Sequence, residues 1–569
     1  FVIIEKYIAI NRKFIFLPRY SKTIVLASEY KNAKMERNFT HKLLSAAFGL
    51  ISIFSASDIC AQSNNAGTSM EINDIRARLH IAGDHFNDLI SSPKFEVPKT
   101  TEAGQIRRNT MYASALWIGA MHNNNLHVAA MTYRQSGSDF WAGPLDDNAA
   151  ITRAETEKWD NFFEISGSEV EKFKKDPNQI TDAIRNWPAH GDATKNQLKY
   201  LAPFVDTDND GLYDPAKGDY PKIKGDYAIW WVFNDNAGKH GETLGRPLGV
   251  EIHAMAYAFN SADTTLNRTI FFEYEIINRS KNNYNDVYLG LWTDFDIGYG
   301  FDDYIGSDTT QSAYFAYNGD PEDEGVAGYG SNIPVQSVVF FNDSLKKFMV
   351  YNNDFSPRGN PVEPQDYYSF LSGRWRDGKP IVAGCNGYSC QGAKPTGFMY
   401  SGNPLDNKTW HERSAGNKPG DRRGVGSTGP FNLNAGEKHT FEFAYITTFK
   451  QAGSTDANLE AMYGDISDIK NYYNKNLNTS AGNESKPAKP YFELTAYPNP
   501  TNDILNLQWS NSKAENVRLV NMLGQTVLSQ KVSTGESKIN ISTKHFPRGV
   551  YMAVIENGSQ KAVQRVVLQ

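Results

Sequence analysis

The chain has 569 residues, 40% of them hydrophobic, so core-building capacity is ample and the length suits roughly three or four domains. A formal net charge of -6 argues against a dedicated nucleic-acid surface, because phosphate contacts need clustered Lys and Arg. High counts of Phe, Tyr and Trp, interspersed with Gly, Asn and Asp, favour strands joined by turns.

The sequence opens on Phe1, and Met35 is a better beginning, so residues 1–34 are expected to be a non-native upstream extension. After Met35, Arg37, His41 and Lys42 form a basic region, Leu43 to Ala56 an apolar stretch, and Cys60-Ala61 a small-residue end before Gln62. That is the layout of a secretory signal peptide over 35–61, with cleavage expected after Ala61. Its apolar part is too short to span a bilayer, and no later segment has the length and apolarity of a transmembrane helix. Once Cys60 is removed, Cys385 and Cys390 remain, with four residues between them in a Gly/Asn/Tyr loop. In an oxidising compartment the pair suits a small disulfide. Zinc fits less well, since one such pair supplies half a site.

The body, 62–478, reads as β-rich. Ile72, Ile75 and Leu79 share one helical face, so a short amphipathic helix is expected there, followed by strands at Ser114–Ile118 and Leu126–Met131. Ser168 is placed to cap a helix running through Glu169 to Lys174, and Ile180, Ile184 and Trp187 recur at helical spacing. Ala228–Phe233 is apolar on both faces, which predicts a buried strand, whereas Thr269–Asn278 and His439–Phe449 alternate. Val335–Phe341 and Lys347–Tyr351 flank Asn342-Asp343-Ser344 and predict a hairpin. Turn residues dominate 352–430, so long loops are expected, and Asp456–Asn476 reads as a helix. The polar stretch 479–490 reads as a linker before a separate C-terminal unit over 491–569. Short alternating strands between 504 and 568 predict an immunoglobulin-like β-sandwich for that unit. The fold class is thus mainly β and multidomain, with a β-sandwich body carrying long loops and a few short helices.

The sharpest chemical motif in the body spans 206–219. Asp206, Asp208 and Asp210 alternate so that their carboxylates converge on one cation, and Gly211 lets the chain turn. The carbonyl of Leu212 and the side chains of Asp214 and Asp219 complete an expected calcium site, with Asp219 standing in where Lys217 replaces the closing Glu of an EF-hand. The loop resembles the calcium loops of thrombospondin type 3 repeats. A second acidic group, Asp294, Asp296, Asp302, Asp303 and Asp308, allows turn-forming aspartates, another metal site, or the acid and base of a glycosidase. His240, Glu251 and His253 form no H-E-x-x-H, and Gly424, Gly426 and Gly429 are followed by Pro430 with no helix opening, so neither zinc catalysis nor phosphate binding is expected. No catalytic constellation emerges.

The tail carries the most specific signature. Tyr497-Pro498-Asn499-Pro500 precedes Asp503, Leu505 and Leu507, then Asn521-Met522-Leu523-Gly524-Gln525, and finally Gly549-Val550-Tyr551. This order resembles the type A sorting domain of type IX secretion cargo. The resemblance implies passage across the outer membrane, contact with the type IX machinery and its sortase, and removal of the tail with surface anchorage or release. In the body, Ala115-Leu116-Trp117-Ile118-Gly119, Trp187-Pro188-Ala189-His190-Gly191-Asp192 and Leu291-Trp292-Thr293-Asp294 are similar to large uncharacterised secreted cargo proteins, a resemblance that transfers no catalytic residue. The expectation is an exported, non-catalytic binding or structural protein with surface polysaccharide as a candidate partner. The alternative is a secreted glycan hydrolase using carboxylates in 294–308.

Overall fold

Alternating and two-sided apolar runs give the body its strands, and burial on facing surfaces sorts them into two nine-stranded sheets. The computed structural model describes residues 66–569 apart from 88–93, 103, 134–136, 451–453, 479–493, 510–514, 522–524, 534 and 558–559. The expected upstream extension, the signal peptide, the linker and Gly524 lie outside the described residues.

The first sheet runs in the order Gly67–Met70, Arg76–His80, Asp84–His85, Asn109–His122, Tyr284–Phe295, Arg422–Leu433, Lys347–Tyr351, with two short strands alongside. The second runs Asp303–Asp308, Ala313–Asn318, Val335–Phe340, Lys438–Thr448, Thr269–Asn278, Val250–Ala258, Tyr227–Asn234, Trp141–Ala142. Hydroxyls knit the two across the core. Ser114 Oγ meets Tyr445 Oη at 2.7 Å, Thr293 Oγ1 meets Tyr314 Oη at 2.8 Å, and Thr110 Oγ1 donates to Gln336 Oε1 at 2.6 Å. Buried side chains from both sheets, including Trp117, Trp231 and Trp292, form one continuous hydrophobic cluster. Pairing these hydroxyls makes so polar a seam tolerable, since an unpaired one costs about 1–3 kcal/mol.

Several elements depart from the sequence reading. The stretch expected as an amphipathic helix is a turn leading into the strand Arg76–His80, where Ile75, Ala77 and Leu79 are buried at period two. The helix expected behind Ser168 spans Gly167–Lys175, and its cap is Ser166, which closes a capping box with Glu169. Only one turn, Asp182–Arg185, forms where Ile180, Ile184 and Trp187 recur. The expected hairpin does not form either. Val335–Phe340 is buried on both faces in the second sheet, whereas Lys347–Tyr351 pairs with Arg422–Leu433 in the first, so the intervening turn carries the chain across the sandwich. Within the region read as loops lie the helix Pro364–Leu371 and most of the strand Arg422–Leu433. That strand's glycines lie against aromatic rings: a Cβ on Gly426 would stand 2.4 Å from Tyr314 Cε1, and one on Gly424 2.9 Å from Phe348 Cε2. Tyr227–Asn234, Thr269–Asn278, Lys438–Thr448 and the helix Thr455–Tyr472 lie where they were expected.

The tail is a second sandwich. Leu494–Tyr497, Ile504–Trp509 and Lys538–Ser542 form one sheet, and Thr526–Lys531, Asn516–Asn521, Gly549–Asn557 and Gln560–Leu568 the other. Its core of Leu505, Leu507, Trp509, Val517, Leu519 and Ile555 is a cluster distinct from that of the body.

Candidate functional site

The 206–219 loop is closed at its base by a two-strand ladder, Phe204–Val205 against Tyr220–Pro221. Asn209 and Gly211 take left-handed backbone conformations, φ 60° and 75°, which curl the chain around its own carboxylates. Asp206 accepts from the backbone N–H of Asp210 and Gly211, and Asp210 accepts from Leu212 N–H at 2.8 Å. One carboxylate oxygen from each of Asp206, Asp208 and Asp210 falls within 4.8 Å of the others. The remaining expected ligands do different work. Asp214 caps the short 3-10 turn Pro215–Lys217. Asp219 is fully buried, and its two oxygens accept from Thr207 N–H, Thr207 Oγ1 and Asp214 N–H, so it ties the loop internally and does not join the cluster. The place expected for Asp219 is taken by Lys217, whose ammonium pairs with Asp210 and lies 3.3 Å from Asp208. That contact holds the Asp210 carboxyl below its usual range and raises the lysine. The side chain of Leu212 is exposed. The neighbouring Tyr213 anchors the loop, its hydroxyl donating to Ile184 C=O at 2.6 Å. The donor set, three converging carboxylates, is of the kind a hard cation takes, with Lys217 as the resident competitor.

The acidic group at and beyond the end of Tyr284–Phe295 does not stay together. Asp294 is buried, accepts from Tyr133 Oη at 2.5 Å, and stands 3.6 Å from Arg423 Nε. Its oxygens approach those of Asp296 and of Asp421, which is itself paired with Arg423 at 3.0 Å. Burial, reinforced by Asp294, pushes the Tyr133 phenol well up. Asp302, just before the strand Asp303–Asp308, gathers with Asp320 and Glu324. Burial raises the Asp302 carboxyl to about 7, the Asn318 amide opposing and Asp323 and Glu324 adding to the rise. Asp303 is fully buried and accepts from Ile297 N–H. Asp308 accepts from Thr310 and Gln311 N–H in the turn that follows its strand.

His240 and His253 are held by structural hydrogen bonds: His240 lies between the carbonyls of Val128 and Asp235, and His253 bonds Glu251 at 2.6 Å. Cys385 and Cys390 form the disulfide, with Cα atoms 5.5 Å apart. A cavity of about 230 Å3, lined by Tyr351, Arg358, Tyr400, Glu412, Lys418 and Arg422 among others, opens beside Asp421. Arg422 is spent on Glu412, bonding both carboxylate oxygens at 2.8 and 2.9 Å, which leaves Arg358 and Lys418 as the other basic residues of the lining. No sequence signal marks this cavity, because its lining comes from segments scattered over 350–422 that no local pattern links.

In the tail, Asn499 clamps the motif to the last strand: its amide donates to Arg565 C=O and its carbonyl accepts from Val567 N–H, both at 2.8 Å. Tyr497 ends the strand Leu494–Tyr497 just before Pro498, and Pro500 leads to Thr501, which bridges Leu568. Gly549 opens the strand in which Tyr551 is buried, its hydroxyl donating to Pro547 C=O at 2.8 Å.

The chain is thus a large β-sandwich body followed by a small C-terminal sandwich. Residues 495–569 match the secretion system C-terminal sorting domain, and the chain is cargo of type IX secretion, delivered to the cell surface or beyond it. No helix among the described residues is long and apolar enough to cross a membrane. No curated protein matches the chain. Among solved structures, a polysaccharide lyase shares 8% identity over 80% of this chain and 46% of its own, with a TM-score of 0.18. The chain therefore spans about half the length of that lyase. The BSP domain of a biofilm associated protein shares 8% identity over 88% of this chain and 80% of its own, with a TM-score of 0.16. Dimeric latent PorU from Porphyromonas gingivalis shares 9% identity over 60% of this chain and 31% of its own, with a TM-score of 0.11.

Proposed function

We propose that the body is a non-catalytic binding protein of the cell exterior, with surface polysaccharide as its partner and calcium as a structural cofactor of the 206–219 loop. The observation that carries the non-catalytic reading is the state of the carboxylates in 294–308. Asp294 and Asp303 are built into the sandwich wall, and Asp308 orders a turn. A glycosidase needs an acid and a base flanking an accessible bond about 5–9 Å apart. For binding, the cavity beside Asp421 offers two cations, Arg358 and Lys418, together with phenols, a lining suited to an acidic sugar. The sorting tail is read as being removed on the far side of the outer membrane by the system's sortase.

The test is a panel of neutral and acidic glycans, assayed with the full chain for both binding and turnover. Binding of acidic glycans, lost in Arg358→Ala, is expected without turnover. Hydrolysis abolished by Asp294→Asn or Asp296→Asn would establish the hydrolase instead. For the loop, calcium is expected to raise the melting temperature of the wild type more than that of Asp208→Ala. The gain is about 1.4 kcal/mol when calcium stands tenfold above Kd.

A further inference from the structure

Of the three acidic clusters among the described residues of the body, two contain their own positive charge. Lys217 pairs with Asp208 and Asp210, and Arg423 pairs with Asp421 and Asp294. The third, Asp302 with Asp320 and Glu324, differs. Its ligand oxygens lie within 4.8 Å of one another, and among the described residues no Lys, Arg or His forms an ion pair with any of the three. Asp302 is only 6% exposed, and neither of its buried carboxylate oxygens accepts a hydrogen bond. A carboxylate held that way, with two others beside it, carries both a desolvation cost and a repulsion. The Asn318 amide offsets part of the first, and among the described residues no cation pairs with the cluster to offset the second.

The geometry points to a site for a hard divalent cation, calcium, formed by Asp302, Asp320 and Glu324 and separate from the 206–219 loop. The scaffold is already set for it. Asp302 precedes Asp303–Asp308 and Asp320 follows Ala313–Asn318, two strands paired in register from Asp303↔Asn318, and the Asp302 carbonyl accepts from Gly319 N–H at 2.6 Å. Gly319 admits this closeness, since a Cβ there would stand 2.4 Å from the Pro419 ring and 2.7 Å from the Asp302 carbonyl. Glu324 is placed by its neighbour Asp323, whose two oxygens accept from Tyr299 N–H at 2.8 Å and Tyr329 N–H at 2.6 Å, fixing the loop against the sheet. Three negative charges from all-oxygen ligands suit calcium, and three side chains leave coordination positions to water, which places the site in the affinity class of extracellular modules, about 10⁻⁴–10⁻³ M.

The experiment is calcium titration by calorimetry of the full chain in an Asp208→Asn background, which removes the loop cluster from consideration. One calcium is expected to bind in that background, with binding lost in Asp208→Asn/Asp302→Asn and weakened at least about tenfold in Asp208→Asn/Glu324→Gln. Glu324 is exposed, so its amide variant should keep the parent's melting temperature without calcium and separates ligand loss from misfolding. The inference is overturned if the Asp208→Asn protein binds no calcium, or if neither double variant weakens binding. Failure of the loop reading looks different, because wild type and Asp208→Asn would then bind the same number of ions.

Discussion

Lys217 governs the 206–219 loop, because its ammonium already neutralises two of the three carboxylates that would hold an ion. Calcium entering the cluster has to displace it, and the freed ammonium, on an exposed side chain, returns to water at little cost. Lys217→Gln is therefore expected to tighten calcium binding several-fold and to lower the melting temperature measured in chelator, where repulsion among Asp206, Asp208 and Asp210 goes unscreened. Unchanged affinity in a calcium titration of that variant would show that the lysine does not compete. A second prediction concerns Cys385 and Cys390. A closed loop of this size restricts the unfolded chain by about 2 kcal/mol in the loop-entropy description. Cys390→Ser should accordingly lower stability by about that amount in denaturant titration, and reductant should bring the wild type to the same value.

Among the elements, Arg422–Leu433 shows how packing overrides local preference. Its glycines and Pro430 read as loop, yet it pairs with both Tyr284–Phe295 and Lys347–Tyr351 in the first sheet. Glycine is kept there because rings from the facing side fill the space a side chain would occupy, as Tyr314 does over Gly426. Gly426→Ala should overpack this contact and cost about 1–3 kcal/mol, measured as a fall in the denaturation midpoint at constant m-value. A neutral result would mean that the Tyr314 ring yields freely. The helix Gly167–Lys175 makes the complementary point. Its apolar spacing was legible, and the cap was misplaced because Ser166 and Ser168 are both suitable residues. Ser166 is the one whose side chain meets the Glu169 N–H, at 3.2 Å.

At the scale of the molecule, the sorting tail and the body have separate hydrophobic clusters, each formed from its own strands. Removal of 491–569 is thus expected to leave the body's melting temperature unchanged while the protein accumulates in the periplasm. Normal arrival of the truncated chain outside the cell, followed by fractionation and blotting, would contradict the role of the tail. A drop in the body's melting temperature would show that the two sandwiches stabilise one another.

The sequence by itself determined what depends on short windows. Period-two alternation in Thr269–Asn278 and Lys438–Thr448, the two-sided apolar run at Tyr227–Asn234, and the ordered motifs of the tail all lie within single segments, where backbone preference and local burial agree. The same holds for the Asp206–Asp208–Asp210 cluster, whose members curl together through adjacent turns. Only the tertiary structure decided which strands pair, since Val335–Phe340 and Lys347–Tyr351 enter opposite sheets although a turn sequence joins them. It alone brought Asp421 to Asp294 and Asp296, gathered Arg358 and Lys418 into the lining of one cavity, and set Asp302 beside Asp320 and Glu324. Contacts of that kind arise from strand pairing and core packing between distant segments, and the free energy that selects them belongs to the assembled sandwich, not to any local stretch of chain.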